Sequence, residues 1–248
     1  MVLVLRKKTL FLFVSALCIV LCLCFLLGDG PVAAAERKVP VYRVETEEKR
    51  LSITFDAAWG ADKTLKILDE LDRFQVKATF FLVGFWVEKY PETVAEIAKR
   101  GHEIGTHSNT HPHMSKLSRA EIQKELQTSC EKIENIIQRK VTVFRAPFGD
   151  YNNALLEEAG AQGLTTIQWD VDSLDWKGLS ATEICNRIVK RAQSGSIILC
   201  HNNSDHIVEA LPQVLMTLQM KGFRFVPVGQ NLHANGTVDS QGIQHATN

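Results

Sequence analysis

The sequence predicts an α/β domain in which parallel strands are joined by helical crossovers. Short runs rich in β-branched and aromatic residues alternate with stretches of helical period from residue 50 to residue 229. Polar motifs sit where the apolar runs end, at Asp56, Arg145, Asp172 and His201. Such an alternation builds either a closed or partly closed barrel or an open doubly wound sheet. In both, side chains just past the strand ends meet on one face, where ligands bind, so a catalytic site is the first expectation.

The strand-like runs fall at 51–56, 77–83, 102–106, 141–146, 164–171, 196–201 and 223–228. Helical period marks 63–74, 91–100, 118–138, 153–162, 180–193 and 207–221. Ser118-x-x-Glu121 and Ser180-x-x-Glu183 are capping boxes, in which hydroxyl and carboxylate satisfy the orphan backbone donors of a helix start. Gly101, Gly195 and Gly222 follow helical stretches, where a left-handed residue closes a helix. Upstream, Arg6-Lys7-Lys8 precedes an apolar run from Thr9 to Leu27 and then Ala33-Ala34-Ala35, the pattern of an export signal. It is either cleaved before Glu36 or retained as a membrane anchor, and it puts the remainder outside the cytoplasmic membrane. Residues 1–35 are therefore read as signal or anchor, 36–49 as a polar linker, 50–229 as the folded domain and 230–248 as a disordered tail.

Of the 248 residues 45% are hydrophobic and 23% charged, enough apolar content for a sizeable core. Lys plus Arg (28) equals Asp plus Glu (28), so no net charge drives the chain toward nucleic acid. Gly-x-Gly-x-x-Gly and Walker-type loops are absent, which removes the common nucleotide sites. Outside the N-terminal apolar run there are three cysteines, Cys130, Cys185 and Cys200, without metal-knuckle spacing. They read as small buried hydrophobes, with Cys200 in the core and not a nucleophile.

The motifs carry chemistry. His107 and His111 are four apart, and on a helical turn both imidazoles project to one side, a spacing that suits one divalent metal. Neutral imidazole favours zinc, cobalt or nickel. Asp56 ends an apolar run, where a lone carboxylate needs a partner or a task; it is a candidate general base or, alternatively, a cap for the next helix. Arg145, Asp172 and Asp175 also follow apolar runs, and an Arg–Asp pair can tune a neighbouring carboxylate. The turn at Pro147-Phe148-Gly149 can expose backbone N–H groups to a developing oxyanion, and Trp176 and Leu199 can form an apolar wall. His201 emerges at the same end as Asp56, where it can protonate a leaving amine.

In their order and residues these motifs resemble the polysaccharide deacetylase family, carbohydrate esterase family 4 or the NodB homology domain, over residues 50–229. The Asp56-Ala57-Ala58-Trp59-Gly60 form looks most like the sporulation-associated deacetylases of spore-forming bacteria. The resemblance implies a distorted (β/α)7 barrel that removes N-acetyl groups from amino sugars of a cell-envelope glycan, peptidoglycan during sporulation, using a divalent metal. It implies Asp56 as base, Arg145 as its tuning partner, His201 as acid, and Asp175 orienting His201 or pairing with Arg145. His107 and His111 become metal ligands, with Phe148, Tyr151, Trp176 and Leu199 on the substrate. One departure matters: the family's usual second aspartate is Ala57 here, so the third ligand would be Asp62 or Asp56. Ala57 also supports a second expectation, a catalytically impaired barrel that binds envelope glycan as an assembly factor.

Overall fold

The computed structural model describes residues 36–247. The export segment expected at residues 1–35 lies outside them; among the described residues, no helix is long and apolar enough to cross a membrane.

Strand β1 (Arg43–Val44) and β2 (Arg50–Ala57) lead to helix α1 (Thr64–Arg73), and β3 (Thr79–Leu82) leads to α2 (Gly84–Lys89) and α3 (Pro91–Lys99). Then come β4 (Glu103–Thr106), α4 (Arg119–Ile137), β5 (Val143–Phe144), α5 (Asn153–Ala161), β6 (Thr165–Thr166), β7 (Val171–Asp172) and α6 (Ala181–Arg191). β8 (Ile197–His201), α7 (Ile207–Met220), β9 (Arg224–Phe225), α8 (Val228–Asn231), β10 (Thr237–Val238) and β11 (Ile243–His245) complete the order. Both capping boxes form as the sequence predicts: Ser118 and Ser180 each accept from the backbone N–H three residues on, and Glu121 and Glu183 each accept from the cap's own N–H.

Seven strands form one sheet in the order β6-β5-β4-β3-β2-β8-β7, every neighbouring pair parallel, with β9 pairing the start of β2. Its two edge strands, β6 and β7, are consecutive in the chain, separated only by residues 167–170. Five residue steps reach at most about 17 Å, so the edges cannot stand far apart and the sheet must curl. The result is the (β/α)7 barrel that the resemblance implies. Phe81, Val143, Ile167 and Ile197 fill its interior, and the larger apolar cluster packs the sheet against the helices.

The expected run 164–171 is two short strands because another segment inserts at its middle. Val41 N–H donates to the Thr166 carbonyl (3.0 Å), and Gln168 N–H donates to the Val41 carbonyl (2.7 Å). Residues 36–49 are therefore not a linker: Val41 and Val44 are buried within the inner core, and β1 lies parallel to β11. Residues 230–248 are likewise not a disordered tail, since β10 and β11 form a hairpin that completes a three-stranded sheet with β1. The folded unit runs from Arg37 onward. Gly195 fits this clasp: its φ is +76°, and a Cβ there would strike the Val44 carbonyl, whose own N–H donates to the Gly195 carbonyl (3.0 Å).

Candidate active site

Parallel pairing sets Asp56, the penultimate residue of β2, directly beside His201, the last residue of β8. Both stand at the C-terminal ends of their strands, and so do the residues after β4 and β5. The sheet thereby gathers Asp56, His107, Arg145 and His201 on one face.

Arg145 is fully buried, and its Nη1 donates to Asp56 Oδ1 (2.8 Å) and to Thr54 Oγ1 (2.7 Å), while Nη2 donates to the Gln168 carbonyl (3.1 Å). Its guanidinium also lies over the Phe81 ring, 4.2 Å from the centroid. Thr54 and Asp56 share one face of β2 because strand side chains alternate. Burial alone would raise the Asp56 pKa, but the adjacent Arg145 charge, aided by His107 and His201, holds the carboxyl below its ordinary value. Asp56 is thus ionised.

His201 has the opposite bias. Its Nδ1 lies 2.8 Å from Asp175 Oδ1, and its backbone N–H donates to Asp175 Oδ2 (2.8 Å). Burial opposes a charge on this ring, but the Asp175 carboxylate outweighs it and raises the pKa. Asp175 therefore belongs to His201 and not to Arg145, the second of the two partners the sequence leaves open. Asp172 accepts from the Leu174 N–H (2.8 Å), a local turn bond.

His107 and His111 sit on a loop after β4 and not on a helical turn: Ser108 and His111 both take left-handed backbone angles, φ +68° and +60°. Glu125 of α4 holds the loop, accepting from the N–H groups of Asn109 (2.9 Å) and Thr110 (2.8 Å) and from the Thr110 hydroxyl (2.7 Å). The rings still meet, with centroids 5.0 Å apart. His107 Nδ1 faces the Arg145 carbonyl at 2.8 Å, which sets it as the N–H donor and leaves Nε2 toward Asp56 Oδ2 at 3.6 Å. Burial lowers the pKa of both histidines, that of His111 to about 4, so both are neutral bases at pH 7.

The apolar candidates divide. Phe148 and Trp176 are exposed at the rim, Phe148 with φ +61° and its ring 4.6 Å from that of His111. Leu199 is buried beside Thr54 in the β2–β8 register. Tyr151 turns to Arg37, whose Nη2 lies 3.4 Å from its hydroxyl, and to Tyr42, and shows no bond to the Asp56 cluster. Asp62 is exposed and is not drawn to the histidines. Cys200 is fully buried with its thiol pushed far up, and Cys130 is pushed up to about 12, so neither is a ready nucleophile at pH 7; all three cysteines are free. Trp59, Glu125 and Gln168 were not singled out from the sequence. For Trp59 the signal was there, a tryptophan three residues past Asp56.

A sequence profile of the polysaccharide deacetylase family matches residues 43–167, half of the chain. The chain belongs to this family. It is 34% identical to YlxY, a Bacillus subtilis protein, over 184 residues, 74% of this chain and 57% of that one. It is 34% identical to a peptidoglycan-N-acetylglucosamine deacetylase of Bacillus cereus over 200 residues, 79% of this chain and 73% of the relative. Among solved structures, a CE4 family pseudoenzyme from Bacillus anthracis superimposes with a TM-score of 0.75 at 32% identity, covering 77% of this chain and 68% of that one. A mutant of that pseudoenzyme with restored enzymatic activity gives the same TM-score at 34% identity, over 77% and 70% of the two chains. The chain spans little more than half of YlxY but about two thirds or more of the other three.

Deacetylases of this family generally use a metal, and the donors present here can be tested against one. His107 Nε2 and the His111 imidazole are neutral donors, and the bond from His107 Nδ1–H to a carbonyl is the orienting contact that a ligating histidine needs. The third donor fails. Ala57 offers a methyl group, Asp56 gives its Oδ1 to Arg145, and no group of three metal-binding side chains occurs among the described residues. The donor set falls short of a protein-held three-ligand site.

Proposed function

We propose that the protein hydrolyses the N-acetyl group of an amino sugar in an extracytoplasmic cell-wall glycan, peptidoglycan being the substrate class. The observation that carries this reading is the opposite pairing of two neighbours: Asp56 bonded to Arg145, which favours its ionised form, and His201 bonded to Asp175, which favours its protonated form. Adjacent groups whose pKa values are pushed apart suit a base and an acid acting in one reaction.

Asp56 Oδ2, the oxygen not bonded to Arg145 Nη1, takes a proton from water as that water attacks the acetamide carbonyl carbon. Backbone N–H at the Pro147-Phe148-Gly149 turn faces the developing oxyanion. The imidazolium of His201 then gives its Nε2 proton to the amine nitrogen as the C–N bond breaks, releasing a free amino sugar and acetate. Trp176 and Leu199 flank the acetyl methyl. The B. cereus relative, a peptidoglycan-N-acetylglucosamine deacetylase, supports the substrate class. Spore formation as the setting rests on the form of the first motif alone.

A specific observation favours a second reading, a glycan-binding barrel with little turnover. It is the methyl of Ala57 where a third donor is needed, in a chain similar to a CE4 family pseudoenzyme. Acetate release from an N-acetylglucosamine oligomer separates the two. Asp56→Asn should lower the turnover of an enzyme by roughly a hundredfold or more. Wild-type protein that binds the oligomer but releases no acetate would sink the first reading and leave the second.

A further inference from the structure

Among the described residues, the Trp, Tyr and Phe residues left more than half exposed are Trp59 (57%), Phe148 (60%) and Trp176 (58%); Trp59 and Phe148 meet His111, and Trp176 follows Asp175 in the chain. Trp176 adjoins Asp175 on the His201 side, while Trp59 and Phe148 stand on the His111 side. Their clustering around one part of the described surface marks it as a contact surface.

Trp59 is held as a receptor would be. Ala57 and Ala58 before it are buried, and Gly60 after it takes φ +64° with its carbonyl bonded twice, by Trp86 Nε1 (2.6 Å) and by Asn202 Nδ2 (2.9 Å). The backbone is pinned on both sides while the indole faces solvent, so a ligand would meet it without an ordering cost. The indole meets the His111 ring edge-on, 5.0 Å between centroids; Phe148 meets His111 from another side and stacks on His113 at 4.4 Å and 23°. Four rings thus make a continuous wall, apolar on its faces and edged with imidazole nitrogens.

A pyranose ring presents C–H groups on its face and hydroxyls around its rim, which is the complement of such a wall. We propose that Trp59 stacks on the sugar next to the one whose acetamide lies at Asp56, so that the site reads at least two linked sugars. The indole meets His111, which meets His107, the ring that faces Asp56, so the indole stands to the side of the reacting carboxylate and not on it. This inference rests on the glycan reading above and names the part of the glycan the chain grips.

The test is calorimetry of the full-length protein with the N-acetylglucosamine tetramer and with the single sugar. Trp59→Ala should weaken tetramer binding about tenfold and single-sugar binding less than twofold, and Trp59→Phe should restore most of the tetramer affinity. Because Trp59 is exposed, the melting temperature of Trp59→Ala should stay that of the wild type, and Met220→Ala, also exposed, should leave binding unchanged. Wild-type binding of the tetramer that Trp59→Ala does not alter overturns this proposal and leaves the glycan reading standing. Equal weakening for the single sugar and the tetramer also overturns it, since Trp59 would then touch the reacting sugar. Failure of the wild type to bind either sugar overturns both.

Discussion

The two halves of the site were built to different completeness. On the β2–β8 side every charge has a partner at hydrogen-bond distance: Asp56 with Arg145, His201 with Asp175. On the β4 side two neutral imidazoles meet aromatic rings and Asp56, and the position that would complete a metal set carries the methyl of Ala57. The difference teaches that the charged pairs suited to proton transfer and the histidine pair suited to a metal are held by separate contacts in this barrel. Buried charges are costly to leave unpaired, so one cannot be lost without the other. A neutral histidine pair tolerates the loss of a third donor, because nothing buried is left with an uncompensated charge.

The largest effect should come from breaking the complete half. Arg145→Met would leave the buried Asp56 carboxylate without its cation and should lower unfolding free energy by about 3–5 kcal/mol at pH 7 in urea titrations. The folded-state pKa of Asp56 lies below its ordinary 3.8, so the stability this pair contributes is present above that value and is lost as pH falls through the folded pKa. The cost of Arg145→Met should therefore shrink in strong acid; an equal cost at both pH values would mean that packing and not charge is responsible. Next comes repair of the incomplete half. Ala57→Asp should tighten zinc binding by at least roughly tenfold over wild type in calorimetry, with the gain abolished in a His107→Ala/His111→Ala background. Unchanged zinc affinity would show that Ala57 is not what limits the site. The smallest effect is a shift of the rate profile. His201 is held above its ordinary 6.5 by Asp175, so acetate release should fall on the alkaline side as His201 loses its proton. Asp175→Asn should move that alkaline limb to lower pH, and a limb that stays in place would remove His201 as the acid.

Much of this was legible in the sequence because it is local. The apolar runs and helical periods marked the barrel's principal strands and six of its helices, and the capping boxes at Ser118 and Ser180 fixed two helix starts. Asp56, Arg145 and His201 could be placed on one face because they end parallel strands. What escaped depends on partners distant in the chain. Val41 and Val44 lie in a charged segment and only count as core once β1 meets β11 and the edge at Thr166. The left-handed turns at Ser108 and His111 carry no glycine, so the loop reads as helix; Glu125 of α4 imposes it. Helix α2 follows β3 too closely to show a period of its own.

The clasp between β1 and β11 joins residues 43–44 to residues 243–244, near opposite ends of the folded unit. A nascent chain therefore has almost all of its barrel before it has the strand that covers the inner core at Val41 and Val44. Until residues 243–245 have left the ribosome β1 has no β11 to pair with, and closing so long a loop is slow. The clasp is timed by β11: deleting residues 243–245 would leave every barrel strand and helix present in sequence while denying β1 its parallel partner.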